Sequence, residues 1–303
     1  MIDADPVGMI ADIHRASVVD GPGVRTTVFL KGCPLSCIWC HNPETQSQQQ
    51  QLGYNPSLCI GCGACVDVCP VSALHVENGK AVLNRDRCMQ CMACTEVCPT
   101  EALFAYGRDV RVSEVLAEVT KDRAYYEQSG GGVTISGGEP MMQPDFTIAL
   151  LSGCHQEGIH TCLDTAGIAA ITDYERSLSC VDLYLFDYKV TAPQEHLKLT
   201  GVKRESVLHS LYFLLDAGSA IRLRCPLIPA LNDTDEHFQE IARLSCLPGI
   251  EGVDLMPWHT MGMAKYQNLG RMMSEALPDK NADESYRSEC RAKIIAAGAK
   301  NIR

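Results

Sequence analysis

The sequence predicts an α/β protein: an open, partial (β/α)6 barrel of parallel strands with a small cysteine-rich α+β domain inserted after the first strand. Three observations point there. Six short β-branched or apolar runs, at 24–30, 132–136, 160–164, 182–187, 220–225 and 252–256, alternate with helical patterns at 112–127, 145–157, 206–217 and 235–245. That order wraps a parallel sheet in helices. Eleven of the 17 cysteines fall between Cys33 and Cys98, where the alternation is interrupted. The length, 303 residues, is ample for one large α/β unit with an insertion. Six βα units are two short of a closed barrel, and a doubly wound sheet is the alternative. Ser113 and Asp235 stand near the starts of two of the helices.

Composition narrows the function classes. The formal net charge is −11 and the pI about 5.3, which argues against an electrostatic nucleic-acid binder. No apolar run approaches the roughly 20 residues that cross a bilayer, and residues 1–8 lack the basic start and apolar middle of a signal peptide. A cytoplasmic protein with no membrane or nucleic-acid partner is therefore expected. An odd number of cysteines without an export signal suits thiolate ligation of metal better than disulfides. Cys154, Cys162, Cys180, Cys225, Cys246 and Cys290 are scattered and read as small buried hydrophobes.

The first strand runs into Lys31-Gly32-Cys33-Pro34-Leu35-Ser36-Cys37-Ile38-Trp39-Cys40-His41-Asn42, a C-x3-C-x2-C with no fourth cysteine nearby. Three thiolates leave one iron of a cubane open, and a catalytic metal needs such a position. A zinc site completed by His41 is the alternative. The loop follows a strand, so it lies at the C-terminal mouth of the sheet, where α/β enzymes carry their chemistry.

A Ser- and Gln-rich run at 46–51 reads as a linker, dividing the chain into a barrel of 1–52 and 108–303 and an insert of 53–107. The insert is a repeat at a spacing of 29 residues: Cys59, Cys62, Cys65, Cys69 and Pro70, then Cys88, Cys91, Cys94, Cys98 and Pro99. C-x2-C-x2-C-x3-C-P twice over is the bacterial two-cluster ferredoxin pattern, in which each fourth cysteine serves the other half's cluster. One [4Fe–4S] is then held by Cys59, Cys62, Cys65 and Cys98, the other by Cys88, Cys91, Cys94 and Cys69. Zinc also accepts four thiolates, but the duplication and the prolines favour clusters. Such an insert moves electrons, or its clusters simply staple a thin core.

The later strands end in polar motifs. Ser136-Gly137-Gly138-Glu139-Pro140 offers two glycines for a close backbone approach to a ligand, then a carboxylate. Leu163-Asp164-Thr165-Ala166-Gly167 and Leu185-Phe186-Asp187-Tyr188-Lys189 end the next two, with Asp187 and Lys189 on one face. A strand-end Asp also commonly caps the following helix. Alternation puts Arg222 and Arg224 on one face of the fifth strand, and the sixth leads to Met256-Pro257-Trp258-His259. Residues 278–284 are polar and 286–297 suit a helix.

A C-x3-C-x2-C loop after a strand resembles the radical S-adenosylmethionine (SAM) superfamily. Asp20-Gly21-Pro22-Gly23-Val24-Arg25, followed by K-G-C and C-H-N, resembles the activating enzymes of glycyl radical enzymes, of the longer type with a two-cluster ferredoxin insert. The similarity runs from Asp20 to Gly262. It implies a barrel of the radical SAM type, three [4Fe–4S] clusters and SAM as cosubstrate, with Cys33, Cys37 and Cys40 holding the catalytic cluster. Gly137, Gly138 and Glu139 then receive the SAM amino group, with Glu139 as its charge partner. Asp187 and Lys189 contact the methionine portion, and Asp164, Thr165, the Leu185 carbonyl and Asp187 hold a monovalent cation beside its carboxylate. Arg224 partners the carboxylate or ribose, Arg222 is structural, and His259 lies against the nucleoside. Asp20, Gly21, Pro22, Gly23 and Arg25 guide the glycine loop of the partner enzyme. Two positions depart from the family pattern: Ala166, where Asn often precedes Gly, and Pro229-Ala230, where Pro-Gly is common.

The implied activity is that of an oxidoreductase. Reductive cleavage of SAM gives a 5′-deoxyadenosyl radical, which takes hydrogen from a glycine Cα of the glycyl radical enzyme. Reduced flavodoxin or ferredoxin is the implied electron donor, and a monomer is expected. The alternatives are a radical SAM enzyme acting on a small molecule, or a ferredoxin-type electron carrier, which leaves the three-cysteine loop unexplained.

Overall fold

The structure, a computed structural model, describes residues 5–303. Residues 1–4, which begin both the 1–52 segment and the stretch read for a signal peptide, lie outside the described residues.

Strand β1 (Val7–Ser17) runs antiparallel to β2 (Arg25–Leu30). The insert follows, with β3 (Gln51–Tyr54), α1 (Ala64–Asp67), β4 (Leu74–Glu77), β5 (Lys80–Leu83), α2 (Ala93–Glu96) and β6 (Leu103–Tyr106). Then come β7 (Arg108–Arg111), α3 (Val112–Val119), α4 (Arg123–Ser129), β8 (Gly132–Gly137), α5 (Pro144–Gln156), β9 (His160–Thr165) and α6 (Ile171–Ser177). The chain continues through β10 (Leu183–Asp187), α7 (Pro193–Thr200), α8 (Arg204–Asp216), β11 (Ile221–Leu227), α9 (Asp235–Ser245), β12 (Ile250–Pro257), α10 (Met263–Asn268) and α11 (Glu284–Ala296).

The six runs read as strands are β2 and β8 to β12. They lie side by side in chain order, each parallel to the next. With no reversal of strand order the sheet is singly wound, which gives an open (β/α)6 barrel and removes the doubly wound alternative. Two antiparallel strands absent from the sequence reading, β1 and β7, extend it beyond β2. Much of β1 is half-exposed and carries Asp12, His14 and Arg15, so it lacks the apolar run of a central strand.

The helical pattern at 112–127 divides into α3 and α4. The break is a turn at Asp122, whose buried carboxylate accepts hydrogen bonds from Arg15 Nε at 2.8 Å and Thr26 Oγ1 at 2.7 Å. Holding that carboxylate inward bends the backbone out of one continuous helix. Thr234, rather than Asp235, caps α9, accepting from His237 N at 3.2 Å.

Outside the barrel, Leu150, Leu151, Leu211, Leu214 and Ile241 of the helices pack on Val133, Ile135, Leu163, Leu223 and Val253 of the strands. Each such side chain contributes roughly 1.5–3 kcal/mol by leaving water. Cys154, Cys162, Cys180, Cys225 and Cys290 are buried as expected, but Cys246 is exposed. No helix among the described residues is long and apolar enough to cross a membrane.

In the insert, β3 pairs antiparallel with β6, and β4 with β5. The single-turn helices α1 and α2 start at equivalent positions of the repeat, Gly63 (φ +81°) and Met92 (φ +62°). The polar run at 46–51 is no free tether: Cys33 N donates to Gln46 O at 3.1 Å and Gln50 Nε2 to Gly107 O at 2.7 Å.

Candidate functional site

The chemistry gathers at the C-terminal ends of the parallel strands. Cys33, Cys37 and Cys40, on the loop after β2, line one cleft together with Gly137 and Gly138 from β8, Asp164 from β9, Asp187 and Lys189 from β10, and Arg224 from β11. Leu35, Trp39 and Phe29 give it apolar walls. Burial pushes the thiols of Cys33 and Cys40 up to about 12, so without a metal they stay protonated. Three converging thiols with no fourth cysteine, beside a set of charged side chains, fit an iron–sulfur cluster with an open position.

The two glycines line the cleft and also close it from behind. They bring the loop after β8 against the cysteine loop: Gly138 N donates to Leu30 O at 2.9 Å and Glu139 N to Gly32 O at 2.8 Å. A Cβ on Gly137 would lie 2.3 Å from Leu30 N and O, and one on Gly138 would lie 2.2 Å from Gly32 O. Glu139 is not among the residues that line the cleft. It is fully buried behind the cleft, where its carboxylate accepts from Thr165 Oγ1 at 2.9 Å, Ala166 N at 2.8 Å and Met141 N at 3.2 Å. Glu139 is a strut between β8 and β9, its carboxylate already satisfied by these donors.

Asp164, by contrast, lines the cleft. Its Oδ2 accepts from Ser136 Oγ at 2.7 Å and Arg224 Nη1 at 3.0 Å, while its buried Oδ1 has no partner among the described residues. Burial, with Asp187 nearby, pushes its pKa up to about 6 against the pull of Arg224. An unmatched acceptor lining a cleft fits the ammonium of an amino-acid ligand. Lys189 Nζ sits 2.6 Å from Asp187 Oδ2, and although burial opposes it that carboxylate raises the Lys189 pKa. Arg224 also faces Asp20 Oδ1 at 3.7 Å and donates Nε to Met256 Sδ at 3.3 Å.

Of the four residues read as a cation site, Asp164 pairs with Leu185 in register and Asp187 ends the same strand. The Thr165 hydroxyl points elsewhere, to Glu139 and to Tyr174 Oη at 2.7 Å, which leaves only its carbonyl for a cation. His259 stands one layer back from the cleft. His41, which lines it, stacks on His259 with centroids 4.0 Å apart at 9°, and its Nε2 lies 3.0 Å from His259 O.

The Asp20–Arg25 run divides in two. Asp20 reaches the cleft, its Oδ2 accepting from Ser17 Oγ at 2.7 Å and Thr27 Oγ1 at 2.9 Å. Arg25 is 0% exposed, donating to Thr134 Oγ1 at 2.7 Å, Val133 O at 2.6 Å and Pro22 O at 3.0 Å. It braces the loop from below and presents nothing to a partner. Gly23 (φ +66°) fits because a Cβ there would lie 2.4 Å from Gly131 N. Sequence reasoning missed Ser136, Met256 and the charge pairing of Asp20; inward alternation along β8 and β12 would have found the first two.

In the insert, Cys59, Cys62, Cys65 and Cys98 line one small cavity, and Cys69, Cys88, Cys91 and Cys94 line another. Each cavity takes three cysteines from one half of the repeat and one from the other. Backbone amides approach the sulfurs, Ala73 N to Cys69 Sγ at 3.1 Å and Ala81 N to Cys59 Sγ at 3.3 Å. Two cradles of four thiols with amide donors fit cubane clusters.

Comparison with known proteins places this geometry. Residues 51–99 match the family model of a 4Fe-4S dicluster domain, and residues 19–66 that of a 4Fe-4S single cluster domain. The chain is 41% identical over 264 residues to the trans-4-hydroxy-L-proline dehydratase activating enzyme of Clostridioides difficile, covering 86% of this chain and 87% of that one. It is also 41% identical over 271 residues to the choline trimethylamine-lyase activating enzyme of Oleidesulfovibrio alaskensis, again covering 86% and 87%. A radical SAM methyltransferase from Sphaerobacter thermophilus shares the fold, with a TM-score of 0.52 at 16% identity over 98% of this chain and 73% of that one. With these relatives spanning nearly the whole chain, the protein belongs to the family of glycyl radical enzyme activating enzymes.

Proposed function

We propose that Cys33, Cys37 and Cys40 hold a [4Fe–4S] cluster against which SAM binds, and that the two cradles of the insert hold two more, three in all. The observation that carries this reading is the convergence of three thiols with Asp164, Asp187, Lys189 and Arg224 in one cleft. Bound there, cluster and SAM supply a one-electron reductive cleavage whose 5′-deoxyadenosyl radical takes a hydrogen atom from a glycine Cα of the partner glycyl radical enzyme.

The chain's own residues bind and orient. The free Oδ1 of Asp164 accepts from the amino group, beside the backbone of Gly137 and Gly138. Lys189 and Arg224 oppose the carboxylate, each held by an acidic neighbour. A monovalent cation shared by Asp164, the Leu185 carbonyl, Asp187 and the Thr165 carbonyl would sit beside it. The stacked His41 and His259 form the nucleoside wall, and Leu35, Trp39 and Phe29 exclude water from the reacting atoms. Asp20, Gly21, Pro22 and Gly23 border the entry of the partner's glycine loop, with Arg25 beneath them as their brace. The insert, 53–107, relays electrons from reduced flavodoxin or ferredoxin. None of the 17 cysteines is paired in a disulfide, which favours a reducing, cytoplasmic setting, and the protein acts as a monomer.

The test is isotopic. A partner enzyme carrying dideuterated glycine at its radical position should give deuterium in 5′-deoxyadenosine, with a glycyl doublet in the EPR spectrum. Cleavage of SAM without transfer of deuterium would contradict the assignment.

A further inference from the structure

The halves of the insert repeat one another in sequence but not in place. The β3–β6 ladder joins insert to barrel, with Gln51 and Tyr106 paired at its barrel end and Tyr54 and Leu103 at its outer end. At the barrel end, Lys31 Nζ lies 3.4 Å from Gln51 Oε1, and Asn268 Nδ2 lies 3.4 Å from Tyr106 Oη. The cradle of Cys69, Cys88, Cys91 and Cys94 uses Leu52 as a wall, whereas that of Cys59, Cys62, Cys65 and Cys98 uses Tyr54 and Leu103. Leu52 and Tyr54 are two positions apart on β3, about 7 Å along the ladder. One cradle is therefore inner and the other outer.

The inner cradle is fastened to the barrel. Arg85, three residues before Cys88, donates Nη1 to Leu52 O at 3.0 Å and Nη2 to Asn268 O, at the end of α10, at 2.6 Å. Gly270 (φ +64°) packs so closely that a Cβ there would lie 2.2 Å from Arg85 Nε. From α10, Lys265 Nζ reaches Asn42 Oδ1 at 2.8 Å and pairs with Glu44, on the segment just after Cys40. A continuous set of bonds thus runs from the Cys88 turn to the loop that carries the cleft cysteines. Among the described residues, no hydrogen bond or ion pair ties the outer cradle to the barrel. That cradle presents Ile60, Val76 and Val97, with Leu58 just before Cys59, to solvent beside the exposed Cys62; the inner cradle has the exposed Cys91 and Met89 at the equivalent positions of the other half.

We propose that electrons enter the insert at the outer cradle and leave from the inner one. The apolar face of Leu58, Ile60, Val76 and Val97 receives a small one-electron carrier protein, and Arg85 is the positioning residue that holds the inner cradle to the cleft. The proposal rests on the relay reading above. One electron moves per encounter, taken from a carrier such as flavodoxin hydroquinone, which becomes the semiquinone; no bond or proton changes place in the insert. The occupant is a redox carrier because the patch lies beside a thiol of a cluster cradle on the side away from the barrel, while the other cradle's approach to the cleft is already filled by α10.

The repeat supplies a matched pair of probes. Ile60 and Met89 follow the first cysteine of each half and are 64% and 61% exposed. Anaerobic, cluster-loaded protein is mixed with photoreduced flavodoxin, and freeze-quench EPR follows each cluster. Ile60→Glu should slow electron arrival about tenfold and Met89→Glu less than twofold, with dithionite reduction of both unchanged. Arg85→Leu should leave filling of the insert signals unchanged but slow the cleft signal at least fivefold, with partial rescue in Arg85→Lys. Equal or greater slowing by Met89→Glu would overturn the order alone. Reduction of the cleft signal while both insert signals stay oxidised would overturn the relay reading, and this proposal with it.

Discussion

Arg224 Nη1 stands 3.0 Å from Asp164 Oδ2, a buried ion pair that spans from β11 to β9 across β10. The same guanidinium faces Asp20 Oδ1 at 3.7 Å, so one cation serves two carboxylates. Removing it leaves buried charge uncompensated. We expect Arg224→Met to lower stability by about 3 kcal/mol in denaturant melts and to weaken SAM binding more than tenfold. Arg224→Lys, which keeps the charge without the fork, should recover only part of both. Unchanged affinity in Arg224→Met would remove the residue from the binding site.

Gly138 lets the loop after β8 close on the cysteine loop. In Gly138→Ala the new methyl would meet the Gly32 carbonyl at 2.2 Å and the Thr45 carbonyl at 2.8 Å, both backbone atoms that have little room to move. The cleft cluster should be lost while the insert clusters remain, so iron content should fall by about a third. Loss of the insert EPR signals as well would mean that the substitution unfolds more than the cleft.

Ala230, where the family commonly has glycine, adopts φ +63°. A left-handed conformation costs a residue with a Cβ roughly 1 kcal/mol more than it costs glycine. Ala230→Gly should therefore be neutral to stabilising, by up to about 1 kcal/mol once the extra freedom of the unfolded chain is counted. A drop in the thermal midpoint would show that this turn gains more from the methyl group than it loses in strain.

His237 is buried on α9, with Nδ1 2.8 Å from Thr191 Oγ1 and an Nε2 that has no partner among the described residues. Burial pushes its pKa down to about 3 from an ordinary 6.5. Between those values the unfolded chain binds a proton that the folded chain refuses, so this histidine's contribution to stability is full above 6.5 and is lost as pH falls. The loss is at most about 1.4 kcal/mol per pH unit. The stability advantage of the wild type over His237→Gln should shrink between pH 7 and pH 5. A constant difference would show that His237 does not titrate on unfolding.

Much of this was legible in the residues themselves. The six parallel strands were visible because buried strands such as β8 and β11 are short apolar runs set between turns, and the cysteine spacing marked out both cradles. The strands β1 and β7 were hidden, since β1 carries the exposed Asp12, His14 and Arg15 and β7 at the sheet edge is only four residues long, so neither buries enough to show a pattern. Side-chain direction was the other blind spot. Glu139 stands in a binding motif yet points inward to Thr165 and Ala166, and Arg25 stands in the partner-facing run yet lies buried under it. Spacing tells which residues share a segment, not which of them long-range contacts have already claimed.

The most direct measurement is anaerobic iron and sulfide analysis with EPR of the reduced protein, with and without SAM, on the wild type and a Cys33/Cys37/Cys40→Ala variant. About twelve irons per chain, about four of them lost in the variant, together with a SAM-dependent change in the wild-type spectrum only, would match an open cluster beside two relay clusters. About eight irons in both proteins and no response to SAM would leave a two-cluster electron carrier, and would contradict the assignment of the cleft.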